Sequence, residues 1–257
     1  TAILFATIPG SVNTHMLTRT ADQLPAVHQF THVKFDIKRL QAEALKLAPQ
    51  PYPINFMHYD ATIAPQTQPR TIRTVLRDFH TAWHQHSRHN SWWQKLTHST
   101  QQALYPQHNE YNYHEPTRAY QGTYFEQVAN SFQARAIRVR LVRMDAPYVL
   151  PPHRDFDPTY AVRVIIPIFA DPTATNYVWQ QGQEHTYHLE ADGSAYFLNI
   201  GQSHAVIHTG RTPRIVLCIS LVDQQDLAEI PEGVTHANLA EIPNRPYAQL
   251  SAQADKY

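Results

Sequence analysis

The sequence predicts a mainly β protein, an antiparallel sandwich or jelly roll, on three observations made from residue 134 onward. Apolar residues recur there with a period of two, the runs are short, and turn residues rather than helical patterns separate them. In the first run, 135–143, Ile137, Val139 and Leu141 share one face while Arg138 and Arg140 take the other. Further strands are expected over 160–169, 176–180, 185–190, 194–200, 204–208 and 214–222. Between them lie Gln-Gln-Gly-Gln at 180–183, Ala-Asp-Gly at 191–193 and Thr-Gly-Arg-Thr-Pro at 209–213, all turn chemistry.

The first half has a different texture, rich in Pro, Gln, His and aromatic residues, with two helical patterns. Over 35–47, Ile37, Leu40, Leu45 and Leu47 fall roughly on one face; Asp36 is placed to cap the helix, and Pro49 and Pro51 end it. Over 71–86, Ile72, Val75, Leu76, Phe79 and Trp83 recur at three- and four-residue steps, an amphipathic helix. Residues 52–60 read as a strand entering a proline-bounded loop. The opening 1–9 reads as a strand too, since it lacks the basic flank of a signal peptide. The chain starts at Thr1 rather than Met, consistent with residues missing upstream. From Gln224 the tail is polar, with weak helical character. No repeat or low-complexity linker divides the chain. One domain over 1–257 is expected, with a helical and irregular part (1–133) packed outside a jelly-roll core (134–223) and a C-terminal extension (224–257).

With 42% hydrophobic residues in 257, a packed core is expected. No run approaches the roughly 18 apolar residues that span a bilayer. Twenty-one basic residues balance twenty-one acidic ones, which disfavours nucleic acid and anionic membranes as partners and leaves a small molecule. Cys218 is the sole cysteine; within the apolar run 215–221 it is expected to be a buried small hydrophobe of a cytoplasmic protein. The chain holds no GxGxxG or GxxxxGK[ST] phosphate loop and no GxSxG, and it offers no cysteine nucleophile or close carboxylate pair for hydrolysis.

Seventeen histidines require individual arguments. His153 and Asp155 are two apart at a strand end, so both side chains emerge on one face. His204 opens another strand 51 residues further on, and a jelly roll can bring it to the same barrel mouth. Two imidazoles and a carboxylate on one face of an octahedral ion leave the other face open, the facial triad of oxygen-activating non-haem iron(II). An isolated His-x-Asp is more often a loop ion pair; position and the downstream residues give this one weight. Arg214 lies ten residues beyond His204, at the head of an apolar strand, and a hairpin reversal carries it near the metal. A guanidinium so placed needs an anion, either a bound carboxylate or an internal acid. His208 shares a strand face with His204 and is a substitute ligand, but the Arg214 spacing favours His204. His80 and His84, at i and i+4, could clip a metal on a helix, yet they lack both the Glu of HExxH and a third ligand. His185 and His188 are expected on an exposed hairpin. Trp83, Trp92, Trp93, Tyr111, Tyr113, Tyr120 and Tyr124 are expected to pack the core and loops.

Five segments carry a family resemblance: Arg-Leu-Val-Arg-Met (140–144), Pro-Pro-His-Arg-Asp (151–155), Arg-Val-Ile-Ile-Pro-Ile (163–168), Gly-Ser-Ala-Tyr-Phe-Leu-Asn (193–199) and the run 204–217 from His204 through Arg214. In order and spacing, residues 138–222, about a third of the chain, resemble the aspartyl/asparaginyl β-hydroxylase-like branch of the 2-oxoglutarate oxygenases, and within it the bacterial proline hydroxylases. The resemblance implies a double-stranded β-helix (a cupin-like jelly roll), Fe(II), 2-oxoglutarate and O2. It makes His153, Asp155 and His204 the iron ligands and Arg214 the anchor of the distal carboxylate of 2-oxoglutarate. It points Arg163 at a carboxylate of cosubstrate or substrate, with a structural ion pair as the alternative. It implies a dioxygenase that hydroxylates an unactivated C–H bond, of a free amino acid or other small metabolite, with release of succinate and CO2; a peptide or protein side chain is the alternative substrate. Asp155 favours hydroxylation over halogenation. A cupin-like metal-binding protein or isomerase that does not use 2-oxoglutarate is the rival from another class.

Overall fold

The computed structural model describes residues 18–48, 50, 52–60, 109–233, 235–243 and 245–254. The strand expected over 1–9 and the helix over 71–86, with His80, His84, Trp83, Trp92 and Trp93, lie outside the described residues.

The described strands are β1 (Val27–Gln29), β2 (Ile54–Asn55), β3 (Met57–Tyr59), β4 (Tyr113–Pro116), β5 (Ala136–Met144), β6 (Tyr148–His153), β7 (Val162–Phe169), β8 (Thr175–Gln180), β9 (Gln183–Tyr187), β10 (Tyr196–Leu198), β11 (Ser203–His208) and β12 (Arg214–Leu221). Among the described residues three helices, α1 (Ile37–Leu47), α2 (Tyr124–Ala129) and α3 (Tyr247–Ala254), flank them. One antiparallel sheet runs β1-β10-β7-β12-β5-β2 and a second runs β6-β11-β8-β9; β3 and β4 form a separate ribbon. The pairs β8–β9, β7–β10, β6–β11 and β5–β12 nest around a single turn, as a long hairpin wound upon itself does. The fold is a double-stranded β-helix. Gln181 (φ 52°) and Gly182 (φ 79°) make the apical turn, with the two successive positive φ angles that a tight two-residue hairpin requires.

Alternation along β12 shows where the core sits. Ile215, Leu217, Ile219 and Leu221 face outward into a cluster with Leu40 and Ala44 of α1 and Phe125 and Val128 of α2. Val216 and Cys218 face inward, with Ile165 of β7 and Val178 of β8. Both faces are buried, which is why β7 and β12 read as nearly continuous apolar runs. Asp36 caps α1 by accepting the Arg39 N–H. Leu45, expected on the packing face of α1, is 60% exposed; Ala44, one turn beyond Leu40, takes the buried position instead. β9 ends at Tyr187 rather than at 190, and β10 occupies only the middle of the 194–200 segment. Among the described residues no helix is long and apolar enough to cross a membrane.

Candidate metal centre

Strands β6 and β11 are neighbours, and their register places His153 directly opposite His204. The two imidazole rings lie 4.2 Å apart between centroids. Asp155 follows β6 after one residue; its backbone N–H donates to the Ile200 carbonyl at 3.0 Å, which fixes the chain as it leaves the strand. His153 Nε2 and Asp155 Oδ1 are 3.9 Å apart, and one ligand atom from each of His153, Asp155 and His204 lies within 4.8 Å of the others.

Backbone carbonyls orient both imidazoles. His153 Nδ1 donates to the Pro151 carbonyl at 2.8 Å, and His204 Nδ1 to the Gln202 carbonyl at 3.2 Å. Each bond commits Nδ1 to carrying the proton, so each Nε2 keeps a lone pair for an ion. Burial, and then the neighbouring His153 ring, pull the His204 pKa down to about 3, so this imidazole is neutral at ordinary pH. Two imidazoles and a carboxylate suit a divalent iron-like ion and would fill half of an octahedral sphere.

Arg214 begins β12 opposite Met144 of β5. Its guanidinium is buried, 3.3 Å from the Met144 sulfur and 3.3 Å from Asn176 Oδ1. Among the described residues no carboxylate lies within ion-pair distance of it, and burial lowers its pKa to about 10. Asn176 faces Val206, two residues along β11 from His204, or about 7 Å at ~3.4 Å per residue. A positive charge without an acid among the described residues therefore lies deeper in the barrel than the triad.

Arg163 projects inward from β7 beside the triad. It donates to Cys218 Sγ at 3.1 Å, sits 3.5 Å from Glu110 Oε1, and lies over the Phe156 ring at 5.1 Å. Burial opposes its charge, but Cys218, Glu110 and Asp155 outweigh burial and raise its pKa. Cys218 is buried as expected, yet it is more than a small hydrophobe: Arg163 and Arg140 draw its thiol pKa down against the effect of burial.

His208 stands apart from the triad. Its Nε2 donates to the Thr212 carbonyl at 2.6 Å, and its Nδ1 is 3.4 Å from Thr173 Oγ1, so the ring braces the β11–β12 turn. His185 pairs with Glu241 at 2.8 Å, and His188 is partly buried with Nδ1 2.9 Å from the Ala174 carbonyl. Nothing in the sequence pattern marks Glu110, Asn176 or Ser220 as part of this cluster. Glu110 lies in an irregular stretch with no periodic signal, while Arg138 and Arg140, on the non-aliphatic face of β5, were the visible hint that this face needed an acid.

No protein-family model matches the chain, and no curated protein matches it. Among solved structures it is similar to a 2OG-Fe(II) oxygenase family oxidoreductase from Burkholderia pseudomallei, at 14% identity over 72% of this chain and 79% of that one, with a TM-score of 0.38. It is also similar to a Pseudomonas putida prolyl-4-hydroxylase, at 14% identity over 77% of this chain and 93% of that one, with a TM-score of 0.38. A non-heme monooxygenase in its nickel complex, ThoJ, matches at 14% identity over 86% of this chain and 96% of that one, with a TM-score of 0.31. Superpositions this loose carry no weight for the site, which rests on the strand nesting and donor geometry of this chain.

Proposed function

We propose that the protein is an Fe(II)- and 2-oxoglutarate-dependent oxygenase that hydroxylates an unactivated C–H bond of a small metabolite, free amino acids included. The observation that carries this reading is the pairing of a metal-ready His153–Asp155–His204 group with a buried guanidinium, Arg214, that has no acid of its own among the described residues. When bound, iron with 2-oxoglutarate would supply O2 activation, with decarboxylation of the keto acid to succinate and CO2.

The residues of this chain bind and orient. The Pro151 and Gln202 carbonyls hold the two imidazoles in the tautomer that presents Nε2. Arg214 offers a fork of donors to the far carboxylate of the keto diacid, and Asn176 and Met144 keep that fork in place. Ile165, Val178, Val206 and Val216 are buried and give the barrel core beside the site an apolar lining. A carboxylate at Asp155, where a halogenating site would need room for halide, supports hydroxylation.

A cupin-like metalloprotein would need the triad but not Arg214. Titration of 2-oxoglutarate into the Mn(II)-loaded protein separates the two: binding that depends on both metal and Arg214 is expected. Mn(II) binding through the triad without any 2-oxoglutarate affinity would favour the cupin-like reading. Succinate formation followed across free amino acids, peptides and other small metabolites then identifies the substrate.

A further inference from the structure

Two supports of the metal centre end on one short link. Asp155 donates its backbone N–H to the Ile200 carbonyl at 3.0 Å, and His204 Nδ1 donates to the Gln202 carbonyl at 3.2 Å. Residues 199–202 join β10 to β11. The link has one backbone bond of its own, from the Gln202 N–H to the Asn199 carbonyl at 3.1 Å. That bond closes a turn but leaves its tilt against the barrel open.

The N-terminal segment fixes the tilt. β1 runs antiparallel to β10 with Val27 opposite Leu198, so the residues entering β1 lie beside those leaving β10. A single 3-10 turn, Ala21–Gln23, stands there. Asn199 is fully buried, and its amide nitrogen lies 2.9, 3.2 and 3.1 Å from the carbonyls of Ala21, Leu24 and Pro25. Gln180, at the end of β8, donates to the Leu24 carbonyl at 2.7 Å. The Ala21 N–H donates to Asp157 Oδ2 at 3.0 Å, two residues past Asp155. Gly201 approaches Ala21 so closely that a Cβ on it would lie 2.7 Å from the Ala21 Cβ. Gln202 Nε2 donates to Asp22 Oδ1 at 2.7 Å, across 180 residues of sequence.

The amide oxygens of Asn199 and Gln180 are buried without a hydrogen-bond partner among the described residues. Unsatisfied buried acceptors destabilise a fold, and each calls for an explanation. Here both side chains spend their donors on the same turn, so the link and the turn are built as one unit. Asp22 differs from these two. It is exposed, outside the core, and its carboxylate takes the Gln202 amide, which places it two links from the His204 imidazole.

We propose that Asp22 is a positioning residue of the metal centre: it holds Gln202, whose carbonyl aims His204 Nε2 at the ion. The proposal rests on the reading of His153, Asp155 and His204 as a metal centre and adds a residue outside the barrel strands that keeps the centre in shape. Hydrogen-bond partners of metal-bound imidazoles contribute about 10- to 100-fold in metal affinity, and one link further out a smaller share is expected.

The test titrates Mn(II) into the full chain by calorimetry and records the visible spectrum of the Co(II)-loaded protein. Asp22→Ala should weaken Mn(II) by about three- to tenfold and alter the Co(II) bands. Its metal-free melting temperature should stay within about 2 °C of the parent, because an exposed side chain is removed. Asp22→Asn keeps the acceptor oxygen and loses the charge, so it should bind Mn(II) nearly as the parent does. Gln202→Ala keeps the carbonyl and should match Asp22→Ala, and the double variant should be no weaker than either alone. Equal Mn(II) affinity in parent and Asp22→Ala overturns the proposal. Asp22→Asn as weak as Asp22→Ala overturns it too, since loss of a distant charge would then explain the effect. Additive losses in the double variant, or a sharply lower melting temperature in Asp22→Ala, would also overturn it. If the parent binds no Mn(II), the metal-centre reading fails. The positioning of His204 is then decided on the metal-free protein by NMR exchange of its Nδ1–H, expected to be faster in Asp22→Ala than in the parent and Asp22→Asn; equal exchange in all three overturns it.

Discussion

Replacing Arg214 with Met should separate its role in binding from any role in folding, because the two carry opposite signs. In the ligand-free protein Arg214 is a buried cation held by a thioether and one amide oxygen, with no acid in reach among the described residues. Met keeps much of the stem volume and packs against Met144, so Arg214→Met should leave the ligand-free melting temperature unchanged or raise it. Binding should suffer. Charge-assisted hydrogen bonds of this kind contribute about 1.5–3 kcal/mol, or roughly 10- to 150-fold in affinity for 2-oxoglutarate. With ligand at about 100 times the parent Kd, the parent gains about 2.7 kcal/mol, roughly 5–10 °C for a chain of this size. At the same concentration the variant gains only about 1.4 down to ~0.3 kcal/mol, so its shift falls to a few degrees or less. Differential scanning fluorimetry of the Mn(II)-loaded proteins measures both quantities. A variant that melts well below the parent when empty, yet shifts as far with 2-oxoglutarate, would refute the assignment and make Arg214 a structural residue.

Other outcomes follow from the same geometry. Burial raises the Glu110 carboxyl, but Arg138, Arg163, Arg140 and the Ser220 hydroxyl together outweigh it and bring the pKa from 4.5 to about 2. A depressed carboxylate contributes stability that is complete above its unfolded pKa and lost as pH falls through the folded one, so acid should erode stability between about pH 4.5 and 2. Glu110→Gln should remove that pH dependence and lower neutral-pH stability by about 3–5 kcal/mol in denaturant titrations, since the buried Arg163 and the part-buried Arg138 lose their counter-charge; an unchanged acid profile would count against it. His204→Ala should abolish Mn(II) binding while His208→Ala should leave it intact and lower the melting temperature, because His208 braces a turn; the reverse pattern in calorimetry would exchange their roles. Gly193 has φ +89°, and a Cβ there would overlap the Phe35 carbonyl oxygen. Gly193→Ala should therefore cost more than about 1 kcal/mol by thermal denaturation, and a neutral substitution would contradict the contact.

Much of the barrel was legible because its signals are local. Period-two alternation located β5, short apolar runs bounded by turn residues located β7, β8, β11 and β12, and the Gln-Gln-Gly-Gln turn marked the apex around which the strands nest. The convergence of His153, Asp155 and His204 was legible for the same reason: His153 and Asp155 are separated by one strand period, and His204 opens the strand that pairs with β6. β6 itself was harder to place, since Pro151 and Pro152 sit within it and proline removes ladder donors. The three-residue β1 and the six-residue α2 are too short for periodicity to register, and they exist because the barrel supplies their partners. Leu45 shows the limit of face assignment on α1: an error of one residue rotates a side chain by about 100°, enough to move it from core to solvent. Glu110 was illegible because its meaning is entirely tertiary. A lone acid in an irregular stretch acquires a role only when the chain carries it to Arg138, Arg163 and Ser220.

The most direct measurement is the anaerobic visible spectrum of the protein with Fe(II), before and after 2-oxoglutarate is added. A weak charge-transfer band that requires the keto acid is expected in the parent, persisting in His208→Ala and vanishing in folded His153→Ala and His204→Ala. A well-folded parent that shows no such band, or a band that survives loss of either imidazole, would contradict a centre built from His153, Asp155 and His204.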